Sequence, residues 1–159
     1  MALQTTGRMG SDATPEPHEN GRGPKPDASS RSEQETDPPM YASVLPMERG
    51  LALVPVTGHL RGREMVRLTA ELAREVRARG LRAVVIDVSG VHDATADGVS
   101  ALMDLADALR LVGAATIVAG APTVLARRIV DNVVNLVGIT FAVDAEEGIR
   151  LGRSLLRVG

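Results

Sequence analysis

Residues 81–120 read LRAVVIDVSGVHDATADGVSALMDLADALRLVGAATIVAG, and their order of patterns decides the fold. LRAVVIDV is a nearly continuous apolar run, the pattern of a strand buried on both faces of a parallel sheet. GVSALMDLADALRLVG follows with helical spacing, placing Leu102, Leu105 or Ala106, Leu109 and Val112 inward. AATIVAG is a second buried strand. Between the first strand and the helix lies a polar segment with His92, Asp93, Thr95 and Asp97, expected to be a loop. Ligands and partners often meet an α/β sheet at such a strand end.

The same alternation extends in both directions. GREMVRLTAELAREVRARG predicts an amphipathic helix with Met65, Leu68, Leu72 and Val76 on one face and Gly80 as its stop. Before it, GLALVPVTG reads as a strand. Pro55 within it points to an edge position or to a place where a missing N–H does no harm. YASVLPM predicts a short edge strand limited by Pro46. Downstream, TVLARRIVDNVVNLVG predicts a helix with Leu125, Ile129, Val133 and Leu136 in the core, and ITFAV a last strand. DAEEGIRLGRSLLRV closes as a helix capped by Asp144. The order β-β-α-β-α-β-α-β-α predicts an α/β domain over residues 41–159: a mostly parallel mixed sheet of about five strands with four helices.

Residues 1–40 have no hydrophobic period and are dense in Gly, Pro, Ser, Asp and Glu. Such a stretch cannot bury enough apolar surface to offset chain entropy, so a disordered tail is expected. It is either a tether or, with Ser29, Ser30 and Ser32 near acids, a partner-binding or phosphorylated segment.

Composition narrows the function. The 159-residue chain carries a formal charge of −2, which does not argue for a nucleic-acid or membrane surface. Tyr41 and Phe141 are its only aromatic residues, too few for a base-stacking platform. No cysteine is present, so disulfides, thiolate metal sites and thiol catalysis are excluded, in keeping with a reducing cytoplasm. The single lysine, Lys25, lies in the tail, so the domain cannot supply a phosphate-loop or Schiff-base lysine. No apolar run is long enough to span a membrane.

The polar segment itself admits several chemistries. Asp93 and Asp97 are four residues apart and Asp87 ends the strand, a spacing open to a cation or to acid–base work. His59 ends one strand and His92 follows another, so they could converge on a metal, yet two imidazoles lack a third ligand and no metal is expected. Asp97 or Thr95 is suited to cap the following helix. A helix start also stabilises added negative charge, so phosphate on Thr95 would sit there and repel acidic partners beside Asp93 and Asp97.

Several stretches together resemble the STAS domain, the fold of anti-sigma-factor antagonists and stressosome scaffold proteins. They are LALVPVTGHL, VVIDVSGV, SALMDLADALRLVGAATIVAG with its LRLVGA, and LARRIVDNVVNLVGI. The resemblance covers about residues 45–155. It implies an acid followed by a phosphorylated Ser or Thr, and these two positions fall on Thr95 and Ala96. Ala96 has no hydroxyl. A second Thr position falls on Ala119, before Gly120, and the Pro that usually follows is displaced by one, to Pro122. Either Thr95 is a shifted acceptor, or the chain is blind to phosphorylation; the second reading is preferred.

The resemblance implies a cytoplasmic, non-enzymatic module without a cofactor. It would bind a serine-kinase-type anti-sigma factor, other STAS proteins or a second copy of itself. The expected contact residues are His92, Asp93, Ala94, Thr95, Ala96, Asp97, Asp104 and Asp107, with Arg110 another polar position on that helix. Occupying the partner would release a transcription factor. Other readings are a scaffold subunit of a stressosome-like assembly, a small-molecule or nucleotide-binding α/β domain, and an accessory to lipid transport.

Overall fold

The structure, a computed structural model, describes residues 39–132 and 136–159. The expected tail, apart from Pro39 and Met40, and the expected core position Val133 lie outside the described residues. Met40 itself packs against the core.

Among the described residues six strands and four helices follow in the order β1 (Tyr41–Ala42), β2 (Leu45–Glu48), β3 (Leu51–Leu60), α1 (Gly62–Arg79), β4 (Ala83–Ala94), α2 (Ala96–Leu111), β5 (Ala115–Ala119), α3 (Thr123–Asn132), β6 (Ile139–Ala142) and α4 (Ala145–Val158). They form one mixed sheet. β3, β4, β5 and β6 are parallel neighbours in that order, and β1 and β2 both pair antiparallel with β3.

The segment YASVLPM therefore contributes two strands. Tyr41 and Ala42 pair with Thr57 and Val56, and Leu45 and Pro46 pair with Leu53 and Ala52. The two pieces share one register, and extending either brings Ser43 opposite Pro55. Proline has no N–H to give to a ladder, and the pairing breaks at that point. β3 is an inner strand, so the edge position considered for Pro55 is not the one it takes. It sits instead at the gap in the antiparallel ladder.

Alternation along the central strands divides the core. Val84, Ile86 and Val88 of β4 face the larger cluster with α1, α2 and α3, while Ala83 and Val85 face a smaller one beneath α4. Burial on both faces explains the continuous apolar runs. α1 buries Met65, Leu68, Leu72 and Val76, as its periodicity predicts, and Gly80 closes it in the left-handed conformation at φ 63°. α2 buries both Leu105 and Ala106, because it packs on α1 and α3 as well as on the sheet. Val112 is its C-cap and is only partly buried. α3 buries Leu125 and Ile129. Leu136, expected in the core, is instead 43 % exposed, on the approach to β6.

α4 meets the sheet through glycine. Gly148 and Gly152 are buried one turn apart, and a β-carbon on either would stand 2.7 Å from Val85 Cγ1 or Leu51 Cδ1. Asp144 caps this helix, accepting from the Glu147 N–H at 2.8 Å.

Candidate functional site: the β4–α2 junction

The polar segment after Asp87 is not a loop. β4 continues to Ala94, well past Asp87↔Ala119, the last pair it makes with β5. Among the described residues its outer part pairs with β3 alone, through Thr57↔Gly90, Gly58↔Val91, His59↔Asp93 and Leu60↔Ala94. The register slips twice, once between Pro55 and Thr57 and once between Gly58 and His59. β4 thus carries extra residues, and His92 is the one left unpaired at the second slip. Bulges of this kind bend a strand and re-aim side chains. Buried Val91 and Ala94 anchor the extension, which the polar composition of SGVHDA conceals.

Each acid then finds a different neighbour. The Asp87 carboxylate accepts the Ser89 N–H at 3.0 Å and stabilises the first irregularity. Asp93 accepts the N–H of Ala94 at 2.8 Å and lies 3.9 Å from the Arg128 guanidinium on α3. Asp97 turns the other way, toward the start of α1, where a β-carbon on Gly62 would be 2.6 Å from its Oδ2. Asp93 and Asp97 therefore face different helices rather than one another. Among the described residues, no three His, Asp or Glu side chains come together as a metal site would need.

Thr95 is the N-cap of α2, at φ −82° and ψ 161°. Its Oγ1 accepts the Gly98 N–H at 3.2 Å and donates to the Leu60 carbonyl at 3.2 Å, which also accepts the Thr95 N–H at 3.0 Å. A hydroxyl has one proton, so Leu60 and the Asp97 carboxylate compete for it. That hydroxyl, with the backbone N–H groups of Asp97, Gly98 and Gly62, holds the Asp97 carboxyl below the usual carboxylate range, against a smaller opposing effect of desolvation.

The junction is tight because two glycines permit it. A β-carbon on Gly98 would stand 2.2 Å from the Leu60 carbonyl oxygen, so α2 starts against the backbone that leads into α1. Leu60, Gly62, Gly98 and Arg128 were not among the expected site residues. The glycines in RGRE and ADGVS were the available signal.

His92, Thr95, Ala96 and Asp97 are exposed, Asp93 is half-buried and Ala94 is buried. Asp104 and Asp107 are exposed further along α2, where Asp107 accepts from Arg110 at 3.3 Å. Ala119 is fully buried beneath α4, so the second position considered for modification is core. The segment forms outer surface; a groove lined by Met47, Asp144, Glu147 and Arg150 lies elsewhere, at the start of α4.

The family model of the STAS domain matches residues 44–141. The chain belongs to the STAS domain family. Solved STAS structures share its fold. An RsbS variant from Moorella thermoacetica is 17 % identical with a TM-score of 0.63, over 73 % of this chain and 97 % of that one. SpoIIAA, an anti-sigma factor antagonist in its unphosphorylated form, is 12 % identical with a TM-score of 0.59, over 72 % and 97 %. An anti-sigma factor antagonist from Mycobacterium paratuberculosis is 18 % identical with a TM-score of 0.58, over 72 % and 95 %. The STAS domain of a SulP transporter from Vibrio cholerae has a TM-score of 0.53 at 12 % identity, over 72 % and 89 %. No curated protein sequence matches this STAS chain. Among its described residues no helix is long and apolar enough to cross a membrane.

Proposed function

We propose that this STAS protein is a cytoplasmic, non-enzymatic regulator that binds a serine-kinase-type anti-sigma factor through residues 92–97 and the exposed side of α2. Binding occupies the partner and frees a transcription factor. It proceeds without control by phosphorylation.

The observation that carries this reading is the state of the Thr95 hydroxyl. It caps α2 through Gly98 and is bonded to Leu60. Transfer of a phosphoryl group to it would replace the hydroxyl proton and so break the bond to the Leu60 carbonyl. It would also set a dianion beside the Asp97 carboxylate, where like charges repel. Ala96, exposed in the first turn, offers no oxygen. Fold similarity to anti-sigma factor antagonists supports the choice of partner class.

The test is incubation of the full chain with ATP and the serine kinases encoded beside it, followed by site mapping and calorimetric binding. Expected are no label on Thr95 and retained binding. Ala96→Ser is expected to accept label and then to lose affinity for the kinase. Label on Thr95 of the wild-type chain overturns the phosphorylation-blind reading; absence of binding to every candidate kinase overturns the partner class.

A further inference from the structure

α1 and α2 lie side by side on one face of the sheet, and their outer crests carry opposite charge. On α1 the residues facing away from the core include Arg63, Arg67, Arg74 and Arg77, all exposed. At 100° per residue they fall within about 40° of one line, and they span about 21 Å of helix. Among the described residues none of the four pairs with a carboxylate, and Glu71 and Glu75 lie on the flank of the helix, Glu75 bound to Arg79. On α2 the corresponding crest carries Asp97, Asp104 and Asp107, spread over about 15 Å, with Ser100 between them. Asp107 is partly neutralised by Arg110 at 3.3 Å; Asp104 is not paired among the described residues.

The two helices run in the same direction, since each returns from the end of one parallel strand to the start of the next. Their starts are level, because Gly62 of α1 adjoins Asp97 of α2. Consider a two-fold axis lying in this face, between the helices and along them. It sets α1 of each copy on α2 of the other without reversing direction. Arg67 then lies level with Asp104, and Arg74 with Asp107, each to within about 3 Å along the axis. An axis across the helices instead sets arginine on arginine and is disfavoured.

We infer that this face is a self-complementary docking surface, and that its occupant is the same face of a second copy of this chain. Val66 and Leu111, 64 % and 81 % exposed, add apolar area to it. Two helices about 25 Å long bury on the order of 1,000 Å² in total, at the lower limit for a specific interface. An interface of this size belongs to the weak, transient class, and one built on exposed charge depends on ionic strength. It uses the acidic crest that the proposed regulatory partner also needs, so the paired form is a reserve from which partner binding withdraws monomer.

The inference rests on charge placement and not on who the regulatory partner is. Its test contains no partner, so its failure leaves the proposed function standing. Sedimentation velocity of the full chain at about 5–100 µM, a range in which weak association is visible, is run in 50 and in 500 mM NaCl, about 14 and 4 Å of screening length. Expected is a monomer–dimer equilibrium that high salt weakens at least tenfold. R67E with R74E, and separately D104R with D107R, are each expected to remain monomeric in low salt. Mixing the two double variants restores a dimer. A monomeric wild type in low salt overturns the inference, as does a dimer that survives both double variants or a mixture that fails to pair. Phosphatidylglycerol vesicles form a further arm: a wild type that is monomeric yet bound to them through the arginines assigns the crest to an anionic lipid surface instead.

Discussion

The Asp97 carboxylate occupies the space beside Gly62 in which any other side chain would begin, with Oδ2 2.6 Å from the β-carbon position. An acid in the first turn of α2 is thereby bound to the first residue of α1. Thr95 contributes most to lowering its pKa, and the Gly62 N–H adds to it. The folded-state value lies below the unfolded one, near 3.8. The stabilising contribution is therefore complete above about pH 4 and is lost as pH falls through the lowered value. Urea midpoints measured from pH 7 to pH 2.5 are expected to fall more steeply for the wild type than for D97N. Gly62→Ala displaces the carboxylate, and an NMR titration of Asp97 is expected to move back toward the ordinary range.

Gly98 meets backbone rather than a movable side chain. Gly98→Ala must push the start of α2 away from the Leu60 carbonyl, 2.2 Å from the added carbon. The expected loss of stability is about 3 kcal/mol, together with loss of protection at the Thr95 and Gly98 amides in hydrogen exchange. Gly62→Ala, whose clash is with a carboxylate, is expected to cost less than half as much in the same denaturation experiment.

On the other side of the sheet, Gly148→Leu and Gly152→Leu lift α4 from Val85 and Leu51. Each is expected to cost about 1–3 kcal/mol while leaving the β4–α2 junction intact, so the Asp97 titration is unmoved. Thermal unfolding with the NMR titration as control separates the two faces.

Much of this architecture is legible in the chain because single residues enforce it. Met65, Leu68, Leu72 and Val76 repeat at helical spacing, and Asp144 stands where a cap belongs, so α1 and the start of α4 follow from local pattern alone. The extension of β4 does not. Ser89, Gly90, His92 and Asp93 look like loop residues, and two slips in register remove the alternation that marks a strand. Only β3, dozens of residues away in sequence, holds them extended. The close approach of Gly98 to Leu60 and the glycine seam of α4 are equally non-local: an absent side chain carries no period. Thr95 and Asp97 were legible as capping candidates, and their bonds to Leu60 and Gly62 required the third dimension.

The break in pairing opposite Pro55 also bears on the outer border of the sheet. Among the described residues β1 and β2 form that border, and Tyr41, Leu45 and Met47 expose apolar side chains along it. An uninterrupted border of this kind would template the addition of foreign strands and seed aggregation. Divided into runs of two and four residues, it offers an incoming chain too short a ladder to propagate, so a proline on the inner strand protects the rim it does not itself form.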